Sequence, residues 1–425
     1  MSTFLKNTSV YFFANILNAA IPFMLLPVLT RYLSVEEYGQ IAMFQLLIAG
    51  LAGIVGLNTV GAAGRKYYDA NISRSELENY NTSCFLILLL SGIVVVLAAF
   101  TFENEIVSYL SIPSDWIYIS IAVSFMSFII QFRLSQWQIR GDSKKYGVLQ
   151  VINSLFSSIF SLIFVILFSM GAQGRIDAQI ITSIIISVVC LYFLLRDKCI
   201  ALTLPSRQHL IDSLNFGVPL VPHVFGFFLL SSADRYIINE SMGLAAAGIY
   251  MLAIQLSRVF SVIFDAINKA YVPYLFSCLK ENNKKTKIKL VKYTYYYYLA
   301  LIFITIFSFY TAPYALIVFV GENFKESADI IGWILVGQMF NGMYLMVTNY
   351  IFYSKETKLL SSITILSGII NIILLYLLIP VYGLKGAAFS ACISMFLRFV
   401  FTWGVAAWKV DMPWLLFSVS KKCYN

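Results

Sequence analysis

Apolar blocks of about 20 residues, each nearly free of charged side chains, recur along the whole chain. A run of ~18 or more apolar residues is long enough to cross a bilayer as a helix. Lipid offers exposed backbone groups no hydrogen-bond partner, so helix is the element expected. The pattern predicts twelve transmembrane helices, at 9–30, 40–61, 81–101, 116–138, 147–169, 178–195, 213–232, 246–267, 291–311, 328–352, 359–379 and 387–408.

The composition agrees with this pattern. Of the 425 residues, 60% are hydrophobic and 12% are charged, about half the charged share of an ordinary soluble domain. A soluble enzyme and a disordered or fibrous chain are therefore excluded. The six cysteines, Cys423 among them, show no paired spacing, so neither a disulfide framework nor a metal site is predicted.

The lysines and arginines between the blocks predict the orientation of the chain. With the N-terminus inside, 22 of the 30 fall in cytoplasmic segments, including the C-terminal Lys421 and Lys422, and five fall outside. The five outside are Arg31, Arg175, Arg235, Lys325 and Lys385. Cytoplasmic loops carry such an excess, so both termini are predicted to be cytoplasmic. The net charge of +9 is thus mainly an orientation signal, and we expect no nucleic-acid partner.

The two halves of the chain share an order of motifs. The first half has Pro22 and Pro27, Arg31-Tyr32 and Tyr38-Gly39-Gln40-Ile41-Ala42; the second has Pro219 and Pro222, Arg235-Tyr236 and Ala247-Gly248-Ile249-Tyr250. Each half holds six predicted helices and starts on the same side, which indicates a parallel repeat about an axis along the membrane normal. The predicted domains are an N-terminal lobe at 1–196, a cytoplasmic linker at 197–212 and a C-terminal lobe at 213–425.

Four ionisable residues stand out inside the predicted spans: Arg133, Arg258, Arg398 and Asp265. Each costs roughly 2.5–3.5 kcal/mol on insertion scales, so such residues normally face a cavity or a partner. Polar side chains recur at helical spacing beside them. These residues include Asn15 and Asn18, Gln136, Asn153, Gln255, Ser261 and Asn268, Gln338 and Asn341. We therefore predict an all-α polytopic membrane protein with two six-helix lobes around a central aqueous cavity.

The three arginines suit an anionic headgroup. A guanidinium stays charged and donates two parallel hydrogen bonds to a phosphate or diphosphate. Arg258 and Arg398 lie about 11 residues from their predicted cytoplasmic ends, ~16 Å deep. The alternative is a structural role in helix packing, in which Arg258 pairs with Asp265, two turns away on the same face.

Asp265 and His223 are candidates for coupling transport to a proton or sodium gradient, because either group can change its charge. The alternatives are a counter-ion role for Asp265 and, for His223, a buried neutral ring bonded to backbone freed by Pro222. The chain contains no phosphate-binding Walker loop. No built-in ATPase and no cofactor are therefore expected.

Several segments resemble the polysaccharide transporter branch of the multidrug/oligosaccharidyl-lipid/polysaccharide exporter superfamily, and most of all the O-antigen flippases. They are 7–32, the Arg31-Tyr-Leu-Ser-Val-Glu-Glu-Tyr-Gly39 turn, Asp234-Arg235-Tyr236, Gly248-Ile-Tyr250 and Tyr382-Gly-Leu-Lys-Gly-Ala-Ala388. The resemblance implies alternating access in a bacterial inner membrane. It also implies a central cationic cavity that carries an undecaprenyl-diphosphate-linked oligosaccharide from the cytoplasmic to the periplasmic leaflet. Polysaccharide polymerase and chain-length regulator are candidate partners.

Three other classes fit the sequence less well. A multidrug or cation exporter of the same superfamily would need acids in the membrane, and here three arginines oppose the single Asp265. A membrane polymerase or ligase is expected to carry a large outside loop with catalytic groups, and none is predicted. In a major-facilitator sugar transporter, the loop at 65–69 would carry a glycine-acid-arginine signature that Arg65-Lys-Tyr-Tyr-Asp69 lacks.

Overall fold

The computed structural model describes residues 2–69, 72–201, 204–281, 283–354 and 356–414. Lys421, Lys422 and Cys423 lie outside these residues. The regular secondary structure of the described residues is helical, and these residues contain no strand. The first eight helices are α1 Ser2–Tyr32, α2 Val35–Leu51, α3 Thr59–Lys66, α4 Arg74–Thr101, α5 Glu103–Leu110, α6 Ser114–Ile139, α7 Ser143–Leu162 and α8 Gly171–Arg196. The next eight are α9 Arg207–Gly217, α10 Val221–Ser231, α11 Ala233–Met242, α12 Leu244–Glu281, α13 Lys284–Phe319, α14 Ala328–Tyr353, α15 Thr357–Tyr382 and α16 Leu384–Lys409.

Eleven stretches of the described helices are long and apolar enough to cross a membrane. They correspond to the predicted helices except the second, at 40–61. There, α2 ends at Leu51 and the chain passes through Gly56, Leu57 and Asn58, all with positive φ, before α3 begins. The chain is a multi-pass membrane protein, and its second predicted span is interrupted.

The interruption is held by neighbouring helices. The Gly56 amide donates to Ser91 Oγ on α4 at 2.9 Å, and Thr59 Oγ1 donates to the Gly56 carbonyl at 2.7 Å. A Cβ at position 56 would overlap the ring of Phe128 on α6. Glycine is therefore required here both for its φ of +76° and for the space.

The chain separates into two compact units, Met1–Phe228 with Arg235–Met251 (unit 1) and Leu229–Asp234 with Leu252–Asn425 (unit 2). In unit 1, α1 packs on α7, α6 on α8 and α2 on α6. In unit 2, α14 packs on α13 and α16, and α15 on α16. The predicted lobes at 1–196 and 213–425 differ from these units and stay a prediction.

The starts of α2 and α12 meet in a reciprocal contact within unit 1. A Cβ at Gly39 would overlap the carbonyl oxygen of Leu244, and a Cβ at Gly248 would overlap that of Val35. The same offset of 209 residues separates Val35 from Leu244 and Gly39 from Gly248. The two contacts are therefore equivalent: Gly39 meets Leu244 in the same way as Gly248 meets Val35. Such a reciprocal contact is typical of a two-fold relation. It agrees with a two-fold relation between the two halves, whereas the parallel sense of the repeat stays a prediction.

A single carboxylate joins the starts of α2 and α8. Ser34 Oγ accepts from the Glu37 amide at 3.1 Å, and Glu37 Oε2 accepts from the Ser34 amide at 2.8 Å, which is a capping box. Glu37 Oε1 also accepts from the Ala172 amide of α8 at 3.1 Å. Glu37 thereby fixes the first turn of α8 beside α2.

Candidate functional site

The polar side chains Ser261 and Asn268 of α12 contact α14 within unit 2. Ser261 Oγ donates to Gln338 Oε1 at 2.5 Å, and Asn349 Nδ2 donates to Asn268 Oδ1 at 2.7 Å. These side chains therefore join two helices, as polar side chains do between membrane helices.

Arg258 lies on α12 about one turn before Ser261. Its side chain is exposed. Gln255, one turn earlier, and Asn341 on α14 are half-buried. Asp265 forms an ion pair with Lys269 at 2.6 Å, with its side chain 49% exposed. The sequence did not single out Lys269 as a partner of Asp265.

Arg398 on α16 is 7% exposed. Its guanidinium carbon lies 3.8 Å from the centroid of the Tyr344 ring on α14, a cation–π contact worth about 2 kcal/mol when desolvated. Its Nε is buried without a hydrogen-bond partner, and no carboxylate pairs with it in the part of the chain that the structure describes. A buried cation with uncommitted donors is suited to bind an anion.

The hydroxyl groups near Arg398 donate their hydrogen bonds to other groups than a ligand. Ser390 and Ser394 donate to Asn371 Oδ1 on α15 at 3.0 and 3.1 Å, and Thr402 Oγ1 donates to the Arg398 carbonyl at 2.7 Å. These bonds fasten α16 to α15 and fix the turn that carries Arg398. They position the guanidinium over Tyr344 without using its donors.

Arg133, in contrast, is 1% exposed inside unit 1 and forms an ion pair with Asp197. Its Nη1 donates to Cys199 Sγ at 3.4 Å, and its guanidinium carbon lies 4.3 Å from the centroid of the Trp137 ring. Asn81 Nδ2 also donates to the Cys199 carbonyl, at 2.9 Å. This geometry favours a structural role, in which Arg133 fastens residues 197–199 of the predicted linker to unit 1.

The other polar positions of unit 1 are divided. Gln136 is fully buried and accepts from Arg140 Nη2 at 3.3 Å, so it faces the core of unit 1. Asn15 and Asn18 on α1 and Asn153 on α7 are half-buried. His223 on α10 is exposed, which contradicts the alternative of a buried ring.

One arginine inside a helix was missed by the sequence analysis. Arg175 was predicted to lie in an outside loop, because the apolar block begins only at 178. The structure places it in the second turn of α8, with its guanidinium against Ser157 and Ser161 of α7. The sequence carries one signal for this position. The segment Gly171-Ala-Gln-Gly174 is compatible with the start of a helix, and a helix that starts there includes Arg175.

The ion pair of Arg133 predicts a large effect on stability. Arg133→Met should lower the free energy of unfolding by about 3 kcal/mol, the lower end of the range for breaking a buried pair, because Asp197 is 34% exposed. Denaturant unfolding of the purified protein in detergent would measure it. In a double-mutant cycle with Asp197→Asn, the two losses should not add.

The exposed pair Lys145–Asp142, 3.1 Å apart, supplies the control for this measurement. Lys145→Met should change the free energy of unfolding by less than about 1 kcal/mol. Equal effects of Arg133→Met and Lys145→Met would contradict the anchoring role.

The fold and site define a polytopic helical membrane protein with arginines buried between its helices. Residues 4–279 match the family model described as polysaccharide biosynthesis protein, and the chain belongs to that family.

Named relatives extend the comparison. A protein of Shigella flexneri named "Putative O-antigen transporter" is 23% identical over 406 residues, which cover 90% of this chain and 94% of that protein. The fold is shared with the inward-facing conformation of a MATE family multidrug resistance transporter of the MOP superfamily (TM-score 0.75, 15% identity, 98% and 96% coverage). It is also shared with the lipid II flippase MurJ in an inward closed conformation (TM-score 0.74, 14% identity, 95% and 87% coverage). The family and fold that the sequence resembles are thereby confirmed.

Proposed function

We propose that the protein is a flippase for undecaprenyl-diphosphate-linked O-antigen or other polysaccharide repeat units. It moves them by alternating access from the cytoplasmic to the periplasmic leaflet of a bacterial inner membrane, with both termini cytoplasmic. The family and the name of the Shigella flexneri relative support this class of substrate. The observation that carries the proposal is Arg398, a buried guanidinium without a carboxylate partner among the described residues.

In this proposal the diphosphate takes the place of the missing counter-ion. Arg398 offers it charged donors fixed over Tyr344, and Arg258 supplies a second cation from α12. The half-buried amides Gln255 and Asn341 on the same unit bind sugar hydroxyls. The isoprenoid tail stays in lipid, because its transfer to a polar site would be unfavourable.

Other parts of the proposal concern partners and energy. Asn15, Asn18 and Asn153 contribute further hydrogen bonds to the sugars. Asp265 or His223 couples transport to a proton or sodium gradient, without any bound cofactor. Polysaccharide polymerase and chain-length regulator receive the repeat units. The protein itself carries out no covalent chemistry.

A multidrug or cation exporter is the second candidate, favoured by the fold shared with the MATE transporter. A cationic substrate would need an available carboxylate in the membrane. Asp265, the acid that stands out inside the predicted spans, pairs with Lys269, and the three arginines Arg133, Arg258 and Arg398 outnumber it. The distribution of charge therefore favours an anionic substrate.

Reconstitution distinguishes the two functions. Liposomes containing the purified protein would be loaded with an undecaprenyl-diphosphate-linked oligosaccharide that carries a fluorescent sugar, and a membrane-impermeant quencher would report its transfer between leaflets. The flippase predicts protein-dependent transfer of this lipid and no uptake of the cationic dye ethidium. Dye transport without transfer of the labelled lipid would contradict the proposed function.

A further inference from the structure

A second arginine binds hydroxyls of a neighbouring helix without any carboxylate. Arg175 Nη1 donates to Ser157 Oγ at 3.3 Å, to the Ser157 carbonyl at 3.5 Å and to Ser161 Oγ. In the described ranges, the Nε and Nη2 atoms of Arg175 form no hydrogen bond, and no acid pairs with the guanidinium. Two of its three nitrogens are therefore available to a ligand.

The nearest acids along these helices are committed elsewhere. Asp177 Oδ1 accepts from Gln173 Nε2 at 2.8 Å. Glu37 accepts from the backbone amides of Ser34 and Ala172. Neither carboxylate is within ion-pair distance of Arg175, so its charge lacks a counter-ion within the described chain.

The surroundings of Arg175 are polar over two turns of helix. The phenol of Tyr38 on α2 lies close enough to Arg175 to interact with it electrostatically. Deeper along the same two helices, Gln45 Nε2 donates to Gln179 Oε1 at 2.8 Å. Just beyond Ser161, α7 continues as the π-helical segment Ile163–Leu167, an irregularity that is frequent at functional sites.

Hydroxyls can solvate a guanidinium, but they cannot neutralise it. An unneutralised arginine within a span is costly, and the first turns of a helix carry a partial positive charge that adds to it. Both effects are relieved when an oxyanion binds. A phosphate fits best, because the open Nε and Nη2 can donate to two of its oxygens at once.

We propose that Arg175, held by Ser157 and Ser161, is a second phosphate-binding site of this protein, in unit 1 near the end of α8 that the sequence predicts to face outside. Its ligand is the phosphate or diphosphate of a membrane lipid. The inference rests on the proposed function in one respect only: a lipid-linked diphosphate is the natural ligand if the protein is a flippase. An anionic phospholipid headgroup is the other source of the same chemistry.

Binding of farnesyl diphosphate to the purified protein in phosphatidylcholine nanodiscs tests this site. Arg398→Gln removes the proposed first site. Any farnesyl diphosphate that this variant still binds reports on the second site. Adding Arg175→Gln should weaken that residual binding by about tenfold or more, the effect of losing a charged hydrogen bond of 1.5–3 kcal/mol. Arg175→Lys should recover only part of it, because the fork is lost. Unchanged binding after Arg175→Gln would overturn the proposal.

The matched control is Arg31→Gln. Arg31 is an exposed arginine at the same predicted outer end, and its replacement should leave binding unchanged. If Arg175→Gln does not fold, Ser157→Ala with Ser161→Ala keeps the charge, removes its anchor and should also weaken binding. A loss of thermal stability with unaltered binding in these variants would identify a purely structural role and refute the site.

Two further arms identify the ligand. Nanodiscs of equal parts phosphatidylcholine and phosphatidylglycerol should leave farnesyl diphosphate binding unchanged if the isoprenyl diphosphate is the preferred ligand. If phosphatidylglycerol instead weakens the binding of farnesyl diphosphate, and this competition disappears in Arg175→Gln, the site belongs to phospholipid headgroups. Binding that depends on Arg175 in a protein that transfers no lipid-linked oligosaccharide would refute the proposed function while leaving this site in place.

Discussion

Arg398→Ala is expected to reduce the transfer of lipid-linked oligosaccharide by about 10- to 150-fold, while the protein still inserts into the membrane. The range corresponds to one charge-assisted hydrogen bond of about 1.5–3 kcal/mol. The guanidinium is buried over Tyr344, so neither water nor another cation can readily replace it. The liposome transfer assay measures the rate, and the amount of protein in the membrane fraction serves as the reference.

Conservative variants separate charge from geometry at the same position. Arg398→Lys keeps the charge but loses the planar fork, and should transfer the substrate more slowly than the wild type. Arg258→Ala should also abolish most transfer if both cations contact the diphosphate. Lys145→Ala, which removes an exposed cation, is the control and should transfer normally. Normal transfer by both Arg398→Ala and Arg258→Ala would falsify the cationic site.

Helix positions followed from the sequence because lipid imposes one length and one element on every span. The second span shows where this argument stops. Ile54, Val55 and Leu57 continue the apolar block through the break, so hydropathy cannot detect it. The break depends on contacts with Ser91 and Phe128, which lie far away in sequence.

The arginines show the same limit in the candidate site. Depth within a span correctly marked Arg133 as a residue that needs a partner, but the partner comes from the segment after α8, which folds back onto unit 1. Arg175 was assigned to a loop because α8 begins before its apolar block. In both cases the missing information is tertiary: which polar group another helix or loop brings to the guanidinium. Arg398 could be predicted as buried, whereas its contact with Tyr344 could not.

Gly39→Leu is expected to disrupt the contact between the starts of α2 and α12. Any Cβ at position 39 would overlap the Leu244 carbonyl oxygen, and backbone cannot move aside as a flexible side chain can. The two helices must separate, with a loss of about 1–3 kcal/mol or more in the free energy of unfolding. Thermal unfolding of the purified protein would show the loss as a lower Tm, and transfer of the lipid-linked substrate should fall with it if these helix starts must approach in the transport cycle.

The symmetry of the contact makes this prediction sharper than an ordinary packing argument. Gly248→Leu should have an effect of similar size, because Gly248 meets Val35 as Gly39 meets Leu244. The double variant should be less destabilised than the sum of the two, since either substitution alone already separates the same helices. Gly404→Leu, at a helical glycine with no neighbouring atom within 4 Å of its Cβ position, should leave Tm nearly unchanged. If Gly39→Leu and Gly404→Leu behave alike, α2 and α12 do not depend on this close approach, and the structural support for a two-fold repeat at this point is lost.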